Sequence, residues 1–136
     1  MSAIYDRVKL SFDRQGIMQT INASLDKVES GMVQISCPFN SGLTQQHGFF
    51  HAGVLTTITD SACGYAAATV AAENIGVLTV EFKVNFLRPA NTPKIIAIAK
   101  VIKGGKTLVV CEGEVYNEDQ TVLIAKMTAT IILLVQ

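Results

Sequence analysis

The chain of 136 residues is long enough for one sizeable hydrophobic core and too short for two domains of ordinary size, so a single domain over residues 1–136 is expected. Eleven basic residues balance eleven acidic ones, and no run of Lys or Arg supplies the field that nucleic acid or anionic lipid needs, which argues against both as partners. With 49% apolar and only 16% charged residues there is more apolar surface than one small core hides, and the excess points to subunit interfaces.

Residues Ala3 to Phe12 place Ile4, Val8 and Phe12 at helical spacing, a short amphipathic helix. Asp6, Arg7, Lys9, Asp13 and Arg14 interrupt this stretch with charge, unlike an export leader. Cys37, Cys63 and Cys111 are scattered and odd in number, so neither a disulfide framework nor a zinc knuckle is expected, and a cytoplasmic location fits. Ile17 to Val28 and Met32 to Cys37 read as the two strands of a hairpin around Glu29-Ser30-Gly31, closed by Pro38. Phe39 to Phe50, rich in Asn, Ser, Gly and Gln, is a loop.

From Ala52 an Ala-rich segment runs for about twenty positions until Glu73-Asn74-Ile75-Gly76 stops it, the one long helix. Its length suits a membrane, but Asp60 near its centre and the dilution of Ala by Gly, Ser and Thr favour a helix buried in protein. Thr79 to Leu87 then alternates, with Val80, Phe82, Val84 and Phe86 on one face and Glu81, Lys83 and Asn85 on the other, a half-buried strand. Ile95 to Ile102 and Thr107 to Tyr116 are β-branched runs joined by Lys103-Gly104-Gly105-Lys106, and Val122 to Val135 follows Asn117-Glu118-Asp119-Gln120. A hairpin, one apolar helix and an antiparallel meander predict an α+β hotdog fold, a curled antiparallel sheet wrapped around one central helix.

At 100° per residue Asp60 shares its side of the helix with Gly53, Thr56, Thr57, Cys63, Gly64 and Ala67, all small, while Leu55, Ile58, Ala62 and Tyr65 fall opposite. A carboxylate in that apolar setting is costly unless paired or used. The structural account is a hydrogen bond from Thr56 or Thr57, or an interface ion pair; the chemical account is a general base. His51-Ala52-Gly53 at the helix start offers unpartnered N–H groups that could hold an oxyanion, though tight packing of a helix start also favours small residues. Asp60 lies eight residues beyond Ala52, about 12 Å along the axis at ~1.5 Å per residue. One carbonyl cannot touch both, so if both act, Asp60 comes from a neighbouring subunit and a two-fold dimer carries two composite sites.

Gln45-Gln46-His47-Gly48-Phe49-Phe50-His51-Ala52-Gly53-Val54-Leu55 through Asp60-Ser61-Ala62, with Thr79 to Pro89, Ala90 and Gly105-Lys106-Thr107-Leu108, resembles the hotdog acyl-CoA thioesterases of the phenylacetate-pathway type. That family usually shows His-Gly-Gly with an acidic residue nine positions after the His, a spacing that His51 and Asp60 keep. The resemblance implies hydrolysis of an acyl-CoA without a cofactor, by a homodimer or homotetramer. It implies that the Ala52 N–H polarises the thioester carbonyl with help from Gln45, within the His51 and Gly53 motif, that Asp60 is nucleophile or base, and that Thr79 helps place the water. Two departures stand out: Ala52 replaces Gly, which a backbone donor tolerates at negative φ, and Gln45 stands where Asn is common.

Arg88, Lys103 and Lys106 lie near turns from which they could reach CoA phosphates, although solvated turn charges are the plainer account of each. Gly104-Gly105-Lys106-Thr107 lacks the first Gly and the following helix of a phosphate loop. His47 and His51 sit in a loop of the wrong character for a shared metal, and Cys63 has no His held beside it. Rival readings are a hotdog 3-hydroxyacyl thioester dehydratase or hydratase using His47 and Asp60, whose usual motif has a different spacing and a Pro, and a noncatalytic acyl-CoA sensor, whose usual DNA-binding domain has no room in 136 residues.

Overall fold

The computed structural model of the protein describes residues 2–135. The chain runs α1 (Ala3–Asp13), α2 (Gly16–Thr20), β1 (Ser24–Glu29), β2 (Met32–Pro38), a 3-10 turn (Ser41–Leu43), α3 (Ala52–Thr69), β3 (Ile75–Phe86), β4 (Lys94–Gly104), β5 (Leu108–Tyr116) and β6 (Leu123–Val135). All strands join one antiparallel sheet in the order β1-β2-β4-β5-β6-β3, and α3 packs across it. This is the expected hotdog arrangement. No helix among the described residues is long and apolar enough to cross a membrane.

The sheet alternates as period two demands, and its concave side is paired register by register: Val33 with Ala99, Ile35 with Ala97, Cys111 with Ala129, Val115 with Ala125. These residues are essentially inaccessible to solvent. The Ala at one member of each pair leaves a furrow into which Leu55, Ile58, Ala62 and Ala66 of α3 fit. α3 lies so close over Gly113 that a Cβ there would stand 2.4 Å from Thr59 Cγ2 and 3.3 Å from Cys63 Sγ. Gly113→Ala should therefore lower unfolding free energy by about 1–3 kcal/mol through overpacking, read as a lower midpoint in chemical denaturation.

Four expectations change. Ile17 to Val28 is not one strand: Gly16–Thr20 forms helix α2, because Met18 and Ile21 at helical spacing bury on the core, and Asn22 at φ 60° turns the chain into β1. The long helix stops at Thr69, short of Asn74, where the Thr69 hydroxyl donates to Ala66 O at 2.6 Å and accepts from Gly31 N–H at 2.7 Å. Cys63 and Ala67 do not flank Asp60 on an open face but are fully buried against the sheet. Asp60 sits at the margin of the buried arc rather than opposite to it, so its neighbours on one side are core.

The alternating strand exists, but its apolar face is not half-buried within the chain. β3 is an edge strand, its register shifts between Thr79 and Glu81, and Leu78, Val80, Phe82 and Phe86 remain 40–60% exposed.

Candidate active site

The segment before α3 is held from two sides: Phe50 N–H donates to Ala90 O at 3.2 Å and His51 N–H to Leu43 O at 2.8 Å. His51 is the N-cap of α3, and its Nδ1 accepts from Gly53 N–H at 2.8 Å. That acceptor role puts the imidazole proton on Nε2. It also explains Gly53, since a Cβ there would stand 3.0 Å from His51 Nδ1. Val54 N–H donates to His51 O. The remaining first-turn donor, Ala52 N–H, has no acceptor among the described residues, and Ala52 is exposed at negative helical φ.

His51→Ala should lower stability by about 1 kcal/mol through loss of the cap, and His51→Asn, which supplies another good cap, should recover most of it; thermal unfolding of the two variants checks this.

Gln45 orders the loop that faces this amide. Its Oε1 accepts from His47 N–H at 2.6 Å and from Phe49 N–H at 3.2 Å, and its own backbone pairs with Phe49 and Gly48. Two backbone donors on Oε1 fix the orientation of the amide, leaving Nε2 as a donor without an acceptor among the described residues. Gln45 and Ala52 line one cavity of about 500 Å3, walled by Phe49, Phe86, Leu87 and Arg88. Both groups can thus donate to an oxygen placed there.

Asp60 opens onto a second cleft, of about 320 Å3, which it lines with Thr79 and Ser61 but not with Ala52 or Gln45. The two predicted residues meet: Thr79 Oγ1 donates to Asp60 Oδ1 at 2.6 Å, leaving Oδ2 free of that bond. The geometry follows from element lengths. From Asp60 to Thr69 the helix rises roughly 14 Å, and from Ile75 to Thr79 the returning strand covers roughly 13 Å, so Thr79 comes back level with Asp60. Thr56 and Thr57 do not pair with the acid; they donate to Ala52 O and Gly53 O within their own helix.

The basic residues separate. Arg88 lines the Ala52 cavity and donates through Nη1 to Leu123 O at 2.7 Å, which holds the β3 to β4 connection on β6 and leaves further guanidinium donors for a ligand. Lys103 and Lys106 are exposed at the other end of β4, about 30 Å from Lys94 at ~3.3 Å per residue, and line neither cavity.

Cys63 lies behind Asp60, where burial first, and then Cys111 and Asp60, raise its thiol pKa far above the ordinary value; Cys37 and Cys111 are pushed up to about 11 by burial. All three are packing residues without thiolate character.

Gln15, Ser61 and Tyr65 were not among the expected site residues, yet they line the Asp60 cleft. Gln15 is far from α3 in sequence and belongs to no motif, so only the fold discloses it.

The profile of the family described as the Thioesterase superfamily matches residues 47–124. The crystal structure of a thioesterase family protein from Silicibacter pomeroyi is 45% identical, superposes with a TM-score of 0.95, and the match covers 98% of this chain and 100% of that one. A protein of Saccharolobus solfataricus named provisionally as an esterase is 33% identical over 86% of this chain and 77% of its own length. The E. coli PaaI protein from the phenylacetic acid degradation operon is 18% identical, with a TM-score of 0.86 over 95% of this chain and 91% of that chain, a likeness of fold alone.

Proposed function

Because the chain belongs to the thioesterase superfamily, we propose that it hydrolyses an acyl-CoA thioester to the free acid and CoA at sites shared between two subunits. The observation that carries this reading is the division of labour along α3: an unpartnered Ala52 amide in one cavity and a Thr79-held Asp60 carboxylate in another, about 12 Å apart on one rigid helix. Two antiparallel copies of α3 related by a two-fold axis bring the amide of one protomer to the acid of its partner, twice. The bare apolar face of β3, beside the Asp60 cleft, supports such an assembly, since an uncovered edge strand of this kind calls for a partner.

In this reading the thioester oxygen accepts from Ala52 N–H and Gln45 Nε2 of one protomer. Oδ2 of the partner's acid either takes a proton from the attacking water or itself attacks the carbonyl carbon, while Thr79 on Oδ1 keeps the carboxylate turned. When the acid acts as base, collapse of the tetrahedral intermediate breaks the C–S bond and the thiolate leaves with the proton that Asp60 took from water; when it acts as nucleophile, the same cleavage leaves a mixed anhydride on Asp60, which water then hydrolyses to the free acid, its proton going to the thiolate. Arg88 at the rim of the Ala52 cavity suits the phosphates of CoA, for which Lys103 and Lys106 are too remote within one chain. Three reduced, buried cysteines support a reducing workplace such as the cytoplasm.

The test is subunit complementation. Asp60→Asn and Ala52→Pro proteins, each inactive alone, are dissociated, mixed equally and reassembled, and free thiol is followed with acyl-CoA. A composite site predicts about a quarter of wild-type activity, since half the dimers are mixed and each has one intact site of two. A site built within one protomer predicts none. Loss of enoyl-CoA absorbance without thiol release would instead assign hydration, and binding without reaction a sensor.

A further inference from the structure

Beyond the reacting atoms, one flank of the Asp60 cleft is walled by Gln15, at the corner between the N-terminal helices. Gln15, the N-cap of α2, lies outside the residues matched by the family profile. Its Nε2 donates to Tyr65 Oη at 2.6 Å, and Ser61 Oγ donates to its Oε1 at 3.2 Å. Tyr65 Oη in turn shares a hydrogen with Ser11 Oγ at 3.1 Å. The chain Ser61, Gln15, Tyr65, Ser11 ties the α1 to α2 corner onto α3 one residue from the acid. Tyr65 is buried, so the wall is anchored rather than afloat in solvent.

Charge decides which part of an acyl-CoA meets this wall. The Asp60 cleft is lined by a carboxylate and no cation, whereas the Ala52 cavity carries Arg88. Phosphates therefore leave by the Arg88 side, and the acyl group runs past Asp60 into the cleft of about 320 Å3. Apolar flanks from Val77 and Leu78 fit its methylenes, and Gln15 with Ser61 meets its end. One N–H and one lone pair of the Gln15 amide have no partner in this network, a pairing that a hydroxyl, both donor and acceptor, satisfies at once.

We infer that Gln15 is a specificity-determining residue that closes the acyl cleft and restricts the enzyme to short acyl groups, favouring those with a hydroxyl at the far end. This rests on the thioesterase reading above.

The experiment compares kcat/KM for thiol release from butyryl- to decanoyl-CoA and their ω-hydroxy counterparts in wild type, Gln15→Ala and Gln15→Met. Wild type should decline along the plain series and prefer the hydroxy member of a short pair by about fivefold to tenfold. Gln15→Ala should raise the octanoyl to butyryl ratio at least about tenfold, at roughly fourfold for each methylene newly admitted. Gln15→Met, of similar bulk, should keep the length limit and lose the hydroxyl preference, and it carries the test if the Ala variant folds poorly. The same profile in all three proteins, or a uniform loss on every substrate, overturns the assignment of Gln15 and leaves the thioesterase reading standing. No thiol release by wild type from any member overturns both.

Discussion

Asp60→Asn should lower kcat for acyl-CoA hydrolysis by about 10²–10⁴-fold, the range for loss of a positioned base, with little change in folding. The substitution isolates the chemistry because Asn keeps an oxygen where Thr79 Oγ1 donates at 2.6 Å, so the link between α3 and β3 survives while the proton acceptor goes. Asp60→Ala removes both and should also loosen that link. The measurement is steady-state thiol release beside thermal unfolding and light scattering. Activity of the Asn variant within a few-fold of wild type, in an intact oligomer, would sink the role given to this acid.

Ala52→Pro should lower kcat by about 10²–10³-fold, the loss that follows removal of one oxyanion donor, while leaving the helix in place. Proline is usually the wrong residue for a backbone test, but here the geometry suits it. Ala52 is the first helical residue, its N–H has no acceptor among the described residues, and proline is at home in that position. The preceding His51 already has φ −64° and ψ 138°, the extended conformation that proline imposes on its neighbour. The His51 cap onto Gly53 and the His51 bond to Leu43 are untouched. Ala52→Gly, which restores the N–H, should retain most of the activity. Equal activity in the Pro and Gly variants would remove Ala52 from the mechanism.

The architecture was legible because period and composition change where the fold changes. The Ala-rich helix and the β-branched meander each announced themselves, and the distance argument along α3 needed nothing beyond the helical rise. The wheel drawn around Asp60 failed on Cys63 and Ala67 because it gives directions and not the width of the buried arc, which the furrow of Ala97, Ala99, Ala125 and Ala129 sets. Residues Gly16–Thr20 misled for a local reason: Ile17, Met18 and Ile21 fit either period over so short a run, and the positive φ at Asn22 leaves little trace in sequence. Thr79 was expected from family likeness as a residue that places the water; its bond to Asp60 was not foreseen, Thr56 and Thr57 being the hydroxyls expected there. The cause of that bond, equal outward and return paths of α3 and β3, becomes visible only once the helix end at Thr69 is known.

The uncovered flank of β3 has a consequence for the life of each newly made chain. If a second copy covers this flank as proposed, then until it arrives Leu78, Val80, Phe82 and Phe86 stand on a strand whose outer backbone groups can pair with any extended peptide, so solitary chains are open to capture by the wrong neighbour. In the shared-site reading, the encounter that protects them also completes the catalyst. Dilution should then diminish heat resistance and turnover per chain together, by mass action.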